Sequence, residues 1–258
     1  MRISIIGSGN VATHLGKAFY HSGHEIADIC SPSPGHARAL ASLVNARALT
    51  QPSALRKDID LCLIAVKDDV IEQLASALDF RETVVAHTAG SISMQTLSGS
   101  SPYYGVFYPF QTFSAFREPD ISRVPFCLEA NRQQALERLR ELAESIGGKI
   151  VEVDSPGRKT LHLAAVFASN FTNHLYALAG ELIREKGLPF DIMRSLILET
   201  AEKAVNADPF TAQTGPAVRN DQKVIREHLH QLEGQPALKQ LYSLLSASIL
   251  NSHKKPNI

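Results

Sequence analysis

The sequence carries no surplus of either charge: 26 Lys and Arg balance 26 Asp and Glu. A chain without a basic excess offers no global electrostatic case for nucleic acid or an anionic membrane surface. It also lacks long apolar runs, none approaching the roughly 18 residues that a membrane helix needs. From Met1-Arg2 it passes directly into a strand pattern, without the anatomy of a secretory leader, so a cytoplasmic protein is expected. Cysteine is scarce. Cys30, Cys62 and Cys127 are odd in number and scattered, which supports neither a disulfide framework nor a zinc site. Cys30 and Cys62 sit in apolar, strand-like runs, where buried free thiols are expected, consistent with a reducing compartment. What the chain does have is 44% hydrophobic residues over 258 positions, enough for a sizeable core without covalent staples.

Strand patterns run out early, and none appears after residue 153. Before that point, residues 3–6, 24–30, 60–66, 83–86, 103–107, 125–128 and 149–153 read as strands. Between them, 10–22, 34–44, 68–78 and 131–146 read as helices, with Asp68 or Asp69 capping the third and Gly147-Gly148 stopping the fourth. The run 60–66 is apolar throughout, as in a strand buried on both faces. Alternating strands and helices imply βαβ units and a parallel sheet. After Asp154-Ser155-Pro156-Gly157 come four helical patterns, 158–186, 190–206, 221–232 and 236–250, and residues 253–258 read as a frayed tail. The expected fold is α/β. A Rossmann-type doubly wound sheet spans residues 1–153, and an all-α domain over 154–258 serves substrate binding and dimerisation.

The stretch Gly7-Ser8-Gly9-Asn10-Val11-Ala12 is G-x-G-x-x-A between the first strand and first helix. Gly7 permits the tight turn, Gly9 clears the way for a pyrophosphate, and Ala12 allows close helix–sheet packing. The helix N-terminus adds free N–H groups and a partial positive charge. The second strand ends at Cys30-Ser31-Pro32-Ser33 and lacks the terminal acid that binds the ribose of NAD. Asp28, two residues inside the strand, is the single acidic candidate there. Ser31 and Ser33, with His36 or Arg38 nearby, suit a 2′-phosphate, so NADP is favoured over NAD. Two loops at strand ends, Ala65-Val66-Lys67-Asp68-Asp69 and His87-Thr88-Ala89-Gly90-Ser91, are expected to line the ribose and nicotinamide side.

In the second half, His162, Val166, Asn170 and Asn173 recur at three- and four-residue spacings and share a helix face. Polar groups on such a face point either to a cleft or to hydrogen bonds inside a helical bundle. Further on, Thr214-Gly215-Pro216-Ala217-Val218-Arg219-Asn220-Asp221 forms a turn leading into a helix that carries His228. Asp221 reads both as a helix cap and as a candidate site residue.

These motifs resemble those of Rossmann-like oxidoreductases carrying the C-terminal domain of unknown function 2520. The matching features are G-S-G-N-V-A, the H-T-A-G-S loop, Tyr108-Pro109-Phe110-Gln111-Thr112-Phe113, the helix H-L-A-A-V-F-A-S-N-F-T-N-H and T-G-P-A-V-R-N-D, spread over nearly the whole chain. Relatives often have His-Pro where this chain has Tyr108-Pro109. The wider group includes ketopantoate reductase, pyrroline-5-carboxylate reductase and the β-hydroxyacid dehydrogenases, and the resemblance implies an active site between the two domains. Ketopantoate reductase has Lys and Asn two turns apart where this chain has His162 and Asn170, and an acid on a later helix near the place of His228.

The expectation is an NADP-dependent oxidoreductase acting on a small carbonyl, hydroxy or imino compound, ketopantoate among the options, without a metal. His162 is the expected general acid, since an imidazole titrates near neutral pH. Asn170 and Asn173 would orient the substrate. Arg219 would bind a carboxylate, and Asp221 and His228 would complete the set. A homodimer is expected through the helical part. Two other readings stand beside this one: a deazaflavin–NADP reductase, and a non-catalytic NADP-binding sensor.

Overall fold

The computed structural model describes residues 1–254, and its first half alternates strand and helix around one eight-stranded sheet. The strands are β1 (Arg2–Ile6), β2 (Glu25–Cys30), β3 (Arg47–Leu49), β4 (Leu61–Ile64), β5 (Val84–His87), β6 (Tyr104–Pro109), β7 (Pro125–Ala130) and β8 (Lys149–Glu152), in spatial order β3-β2-β1-β4-β5-β6-β7-β8. Chain order reverses at β1 and β4, the switch point where doubly wound sheets bind ligands. Four helices flank the sheet: α1 (Asn10–His21), α2 (Pro34–Leu43), α3 (Ile71–Ser76) and α4 (Gln133–Ser145). Residues of α1, α2 and α4 join the core on one face, and those of α3 the core on the other. The strands divide at period two. Ile3, Ile5, Leu61 and Leu63 face α1, while Ile6, Cys62 and Ile64 face α3. Full burial of each Leu or Ile contributes about 1.5–3 kcal/mol. All three cysteines are buried free thiols, and burial pushes Cys30 up to about 11 and Cys62 up to about 12.

Several local expectations are corrected. β3 was not anticipated, because three residues of mixed character leave no periodic signal. The sheet is not parallel throughout: β7 runs antiparallel to β6, and β8 is parallel to β7. After Pro109 the chain returns without an α-helix, and a parallel neighbour needs a long crossover that is usually helical. The helix expected over 68–78 is a 3-10 turn, Asp68–Val70, followed by the short α3. Neither Asp68 nor Asp69 caps it, and the Asp68 carboxylate accepts from the Ser91 hydroxyl instead.

Beyond Glu152 no strand occurs among the described residues. α5 (Ser155–Ala165), a π-helical stretch Val166–Phe171 and α6 (Thr172–Arg184) form one run, so the single expected helix carries a wider turn in its middle. The Asp154 side chain caps α5, accepting from Gly157 N at 2.9 Å. Three more α-helices follow among the described residues: α7 (Arg194–Asn206), α8 (Gln222–Gln231) and α9 (Pro236–Lys254). His253 and Lys254 continue α9, and the rest of the expected frayed tail, 255–258, lies outside the described residues. The chain divides into two compact units, Met1–His174 and Leu175 onward, so the first unit takes in α5 and the π turn. No described helix is long and apolar enough to cross a membrane.

Candidate active site

The glycine turn has the geometry of a phosphate cradle. Gly7 adopts φ +123°, and a Cβ there would stand 2.0 Å from the Ala65 carbonyl oxygen, so only glycine lets β1 turn against the end of β4. Its N–H donates to Cys30 O at 2.8 Å. Gly9 heads α1 with open space where a Cβ would be. The first intrahelical bond is Thr13 N to Gly9 O at 2.9 Å, which leaves the amides of Asn10, Val11 and Ala12 available to an anion. Ala12 is fully buried against the sheet.

Asp28 is unavailable to a ribose. It is fully buried and already accepts from Ser4 Oγ (3.0 Å), Arg47 Nε (2.8 Å) and Arg56 N (3.0 Å). At the strand end, Ser8 Oγ donates to Ser31 Oγ at 2.8 Å, tying the glycine turn to the second strand. Ser33 caps α2, its hydroxyl accepting from His36 N. His36 and Arg38 are exposed on α2.

Ala65 comes just after β4, its N–H on Ile6 O at 2.7 Å, with Val66 half-buried and Lys67 exposed. His87 is not a loop residue. It closes β5, is fully buried, and its Nδ1 accepts from Ala89 N at 3.2 Å. Burial above all, and then the charge of Arg158, lower its pKa to about 4. It therefore shapes the loop as a neutral ring and offers no surface to a ligand. Thr88 anchors the loop through Ile64 O at 3.1 Å.

α5 packs against the loop that follows β5. His162 Nδ1 lies 3.3 Å from the Tyr108 hydroxyl at the end of β6, the rings packing edge to face. A Cβ on Gly90 would come within 2.7 Å of His162 Nδ1 and 2.8 Å of Tyr108 Cζ, so the loop backbone abuts both rings. Burial raises the Tyr108 phenol above its ordinary value. Tyr108, Phe110, His162, Val166, Ser169 and Asn170 are among the residues lining a cavity of about 240 Å³. The structure thus brings His162 and Asn170 together. Asn173 is exposed and not among the lining residues, because the π turn between them breaks the 3.6-residue period.

Sequence reasoning missed two residues here. Tyr108 stood out only as one member of a motif. Arg158, fully buried one turn before His162, contacts three carbonyls of the 89–92 loop and Glu129.

Arg219, Asp221 and His228 belong to the second unit. Arg219 is exposed on the turn before α8, beside Asn220 at φ +53°. The Asp221 carboxylate caps α8, accepting from Val224 N at 3.2 Å. His228 Nδ1 is 2.9 Å from Tyr242 Oη on α9, beside a cavity of about 720 Å³ that Leu182 and Glu185 also line.

Two family models match the chain. One is described as NADP oxidoreductase coenzyme F420-dependent and covers residues 2–90, and the other is the domain of unknown function DUF2520, over residues 124–249. A Bacteroides fragilis protein classed as an NADP oxidoreductase is 44% identical, with 97% of this chain and 98% of that one covered and a TM-score of 0.89. Two more distant structures share the fold. Pyrroline-5-carboxylate reductase from Streptococcus pyogenes is 17% identical, with 97% and 98% covered and a TM-score of 0.65. An imine reductase from Myxococcus stipitatus in complex with NADP+ is 17% identical, with 98% and 94% covered and a TM-score of 0.66. The comparison with curated proteins found no match.

Proposed function

This chain belongs to the NADP oxidoreductases that carry the domain of unknown function 2520, and from that premise we propose that it exchanges a hydride between NADP(H) and a small carbonyl, hydroxy or imino compound held beside His162. The observation that carries this reading is the cavity of about 240 Å³ holding the Tyr108–His162 pair at the carboxyl edge of the sheet. NADPH, when bound, supplies the hydride. The turn Gly7–Ala12 would hold its pyrophosphate, and Ser31 and Ser33 its 2′-phosphate. Val66, Lys67, Thr88 and Gly90 would flank the ribose and nicotinamide.

His162 gives the proton that the reduced heteroatom needs. In the imidazolium, Nδ1–H donates to the Tyr108 oxygen and Nε2–H is left for the substrate. Burial keeps Tyr108 a phenol, so the pair carries one mobile proton. Asn170 orients the substrate from the same cavity wall. Residues 154–258 form the substrate-binding and dimerising part in this proposal.

The alternative reading is a deazaflavin–NADP reductase. The F420-type model covers only the cofactor half, residues 2–90. The test is NADPH oxidation against a panel of cyclic imines, small ketones and 2-keto acids. Turnover of at least one is expected, with tighter binding of NADPH than of NADH because Asp28 is already engaged. NADPH binding without turnover of any class contradicts the proposal and favours the sensor.

We also propose a homodimer through the helical part. Leu163, Phe167 and Phe171, four residues apart along α5 and the π turn, are 58%, 62% and 50% exposed. In the second unit Leu196, Leu198, Phe210 and Leu244 are each at least 59% exposed. Apolar surface of this extent marks an interaction face. Light scattering at micromolar concentration is expected to read twice the chain mass, and Phe167→Glu to shift it toward one. A wild-type monomer contradicts the dimer.

A further inference from the structure

The buried cation Arg158 has no role in binding or proton transfer, yet both of its terminal nitrogens are engaged, while its Nε finds no partner. Its side chain is fully buried. Nη2 donates to Glu129 Oε2 at 2.9 Å and Ser155 Oγ at 3.0 Å. Nη1 donates to the carbonyls of Ala89 (3.1 Å), Gly90 (2.9 Å) and Ile92 (2.8 Å). Glu129 is itself held, its Oε1 accepting from Ser155 N at 3.0 Å. Burying a guanidinium costs several kcal/mol, and an apolar residue in such a place is often as stabilising as a paired ion. The feature that an apolar side chain could not reproduce is the grip on three carbonyls of one loop.

That grip acts on the backbone against which His162 rests. Gly90, whose carbonyl Arg158 holds, leaves no room for even a methyl group before His162 Nδ1 and the Tyr108 ring. Arg158 and His162 are four residues apart on α5, so one helix face supplies both the clamp and the ring that the clamped loop supports. We infer that Arg158 is a positioning residue for the His162–Tyr108 pair: it locks the 89–92 loop so that Gly90 seats both rings at the cavity. The inference rests on the proton-donor role of His162, but its geometric part can be tested apart from it.

The experiment uses the full chain in three variants: Arg158→Lys, Arg158→Met and Gly90→Ala. Arg158→Lys keeps the cation and loses the fork, whereas Gly90→Ala keeps the clamp and fills the seat. Two readouts are taken. The first is the nuclear Overhauser contact between Gly90 Hα and the His162 and Tyr108 rings. The second is the rate of NADPH oxidation with 2-methyl-1-pyrroline as the probe substrate. The wild type is expected to show the contact, and Arg158→Lys to lose it in a folded protein. Turnover is expected to fall by about 10²-fold, the effect of roughly 1 Å of misplacement, with KM for NADPH unchanged. Gly90→Ala is expected to displace the two rings and lower turnover by a different route, which keeps the test open if Arg158→Met does not fold. Wild-type contact and turnover in folded Arg158→Lys overturn the inference. With a wild type inert toward this probe, a substrate turned over in the panel replaces it, and the Overhauser contact decides the positioning role by itself.

Discussion

Replacing His162 by alanine lowers the rate of hydride transfer by about 10²–10⁴-fold and leaves the affinity for NADPH unchanged, the effect expected of a lost general acid. The separation of the two effects comes from where the groups lie. The phosphate cradle is built by β1, the Gly7–Ala12 turn and α1, whereas His162 stands on α5 against Tyr108 and Gly90. Removing the ring takes away the Nε2 proton and leaves the cradle intact. Tyr108→Phe is expected to lose less, since it removes the hydrogen bond to Nδ1 and keeps the ring packing. Single-turnover kinetics with a substrate found in the panel measures the first quantity, and fluorescence titration the second. Full activity in His162→Ala would make this histidine a packing residue.

The second large effect is at Gly7. Gly7→Ala places a methyl carbon 2.0 Å from the Ala65 carbonyl oxygen and holds alanine at φ +123°. The backbone strain alone is about 1–3 kcal/mol. The overlap adds to it, because it falls where Ala65 N bonds Ile6 O at 2.7 Å between β1 and β4. At about 2–4 °C per kcal/mol for a protein of this size, the melting temperature drops by roughly 5 °C or more. NADPH binding is lost with it. Gly9→Ala separates the two consequences. Nothing lies within 4 Å of its added carbon, so stability is kept while the approach of a pyrophosphate to the backbone is blocked. Thermal melts with and without NADPH distinguish the pair, and a Gly7→Ala protein that melts and binds like wild type contradicts this account of the turn.

The cofactor half was legible because its signals are local. G-x-G-x-x-A, the apolar run 60–66 and the missing acid after Cys30 each occupy one short stretch, and the strand periodicity continues through them. The antiparallel β7 was not legible, since its direction depends on the connection after Pro109 and no residue of β7 itself encodes it. His87 was misplaced by one step, and that step separates an exposed loop side chain from a fully buried one. In the helical part, the spacing of His162 and Asn170 survived in the structure. The π turn then shifted the register, so Asn173 left the shared face. Tyr108 and His162 are 54 positions apart, and no periodicity joins them. Arg158 escaped notice for a different reason. Arginine is rarely fully buried, so an arginine in an amphipathic helix reads as solvated. Only the carbonyls gathered around it reveal otherwise.

The central claim is that a nicotinamide bound at the sheet's carboxyl edge faces the His162–Tyr108 cavity. A crystal structure of the full chain with NADP+ tests it directly. The account predicts the pyrophosphate on the amides of Asn10, Val11 and Ala12, the 2′-phosphate beside Ser31 and Ser33, and the nicotinamide ring opening onto the cavity lined by Tyr108, His162 and Asn170. A nicotinamide turned away from that cavity, or a 2′-phosphate held elsewhere than the end of β2, would contradict it.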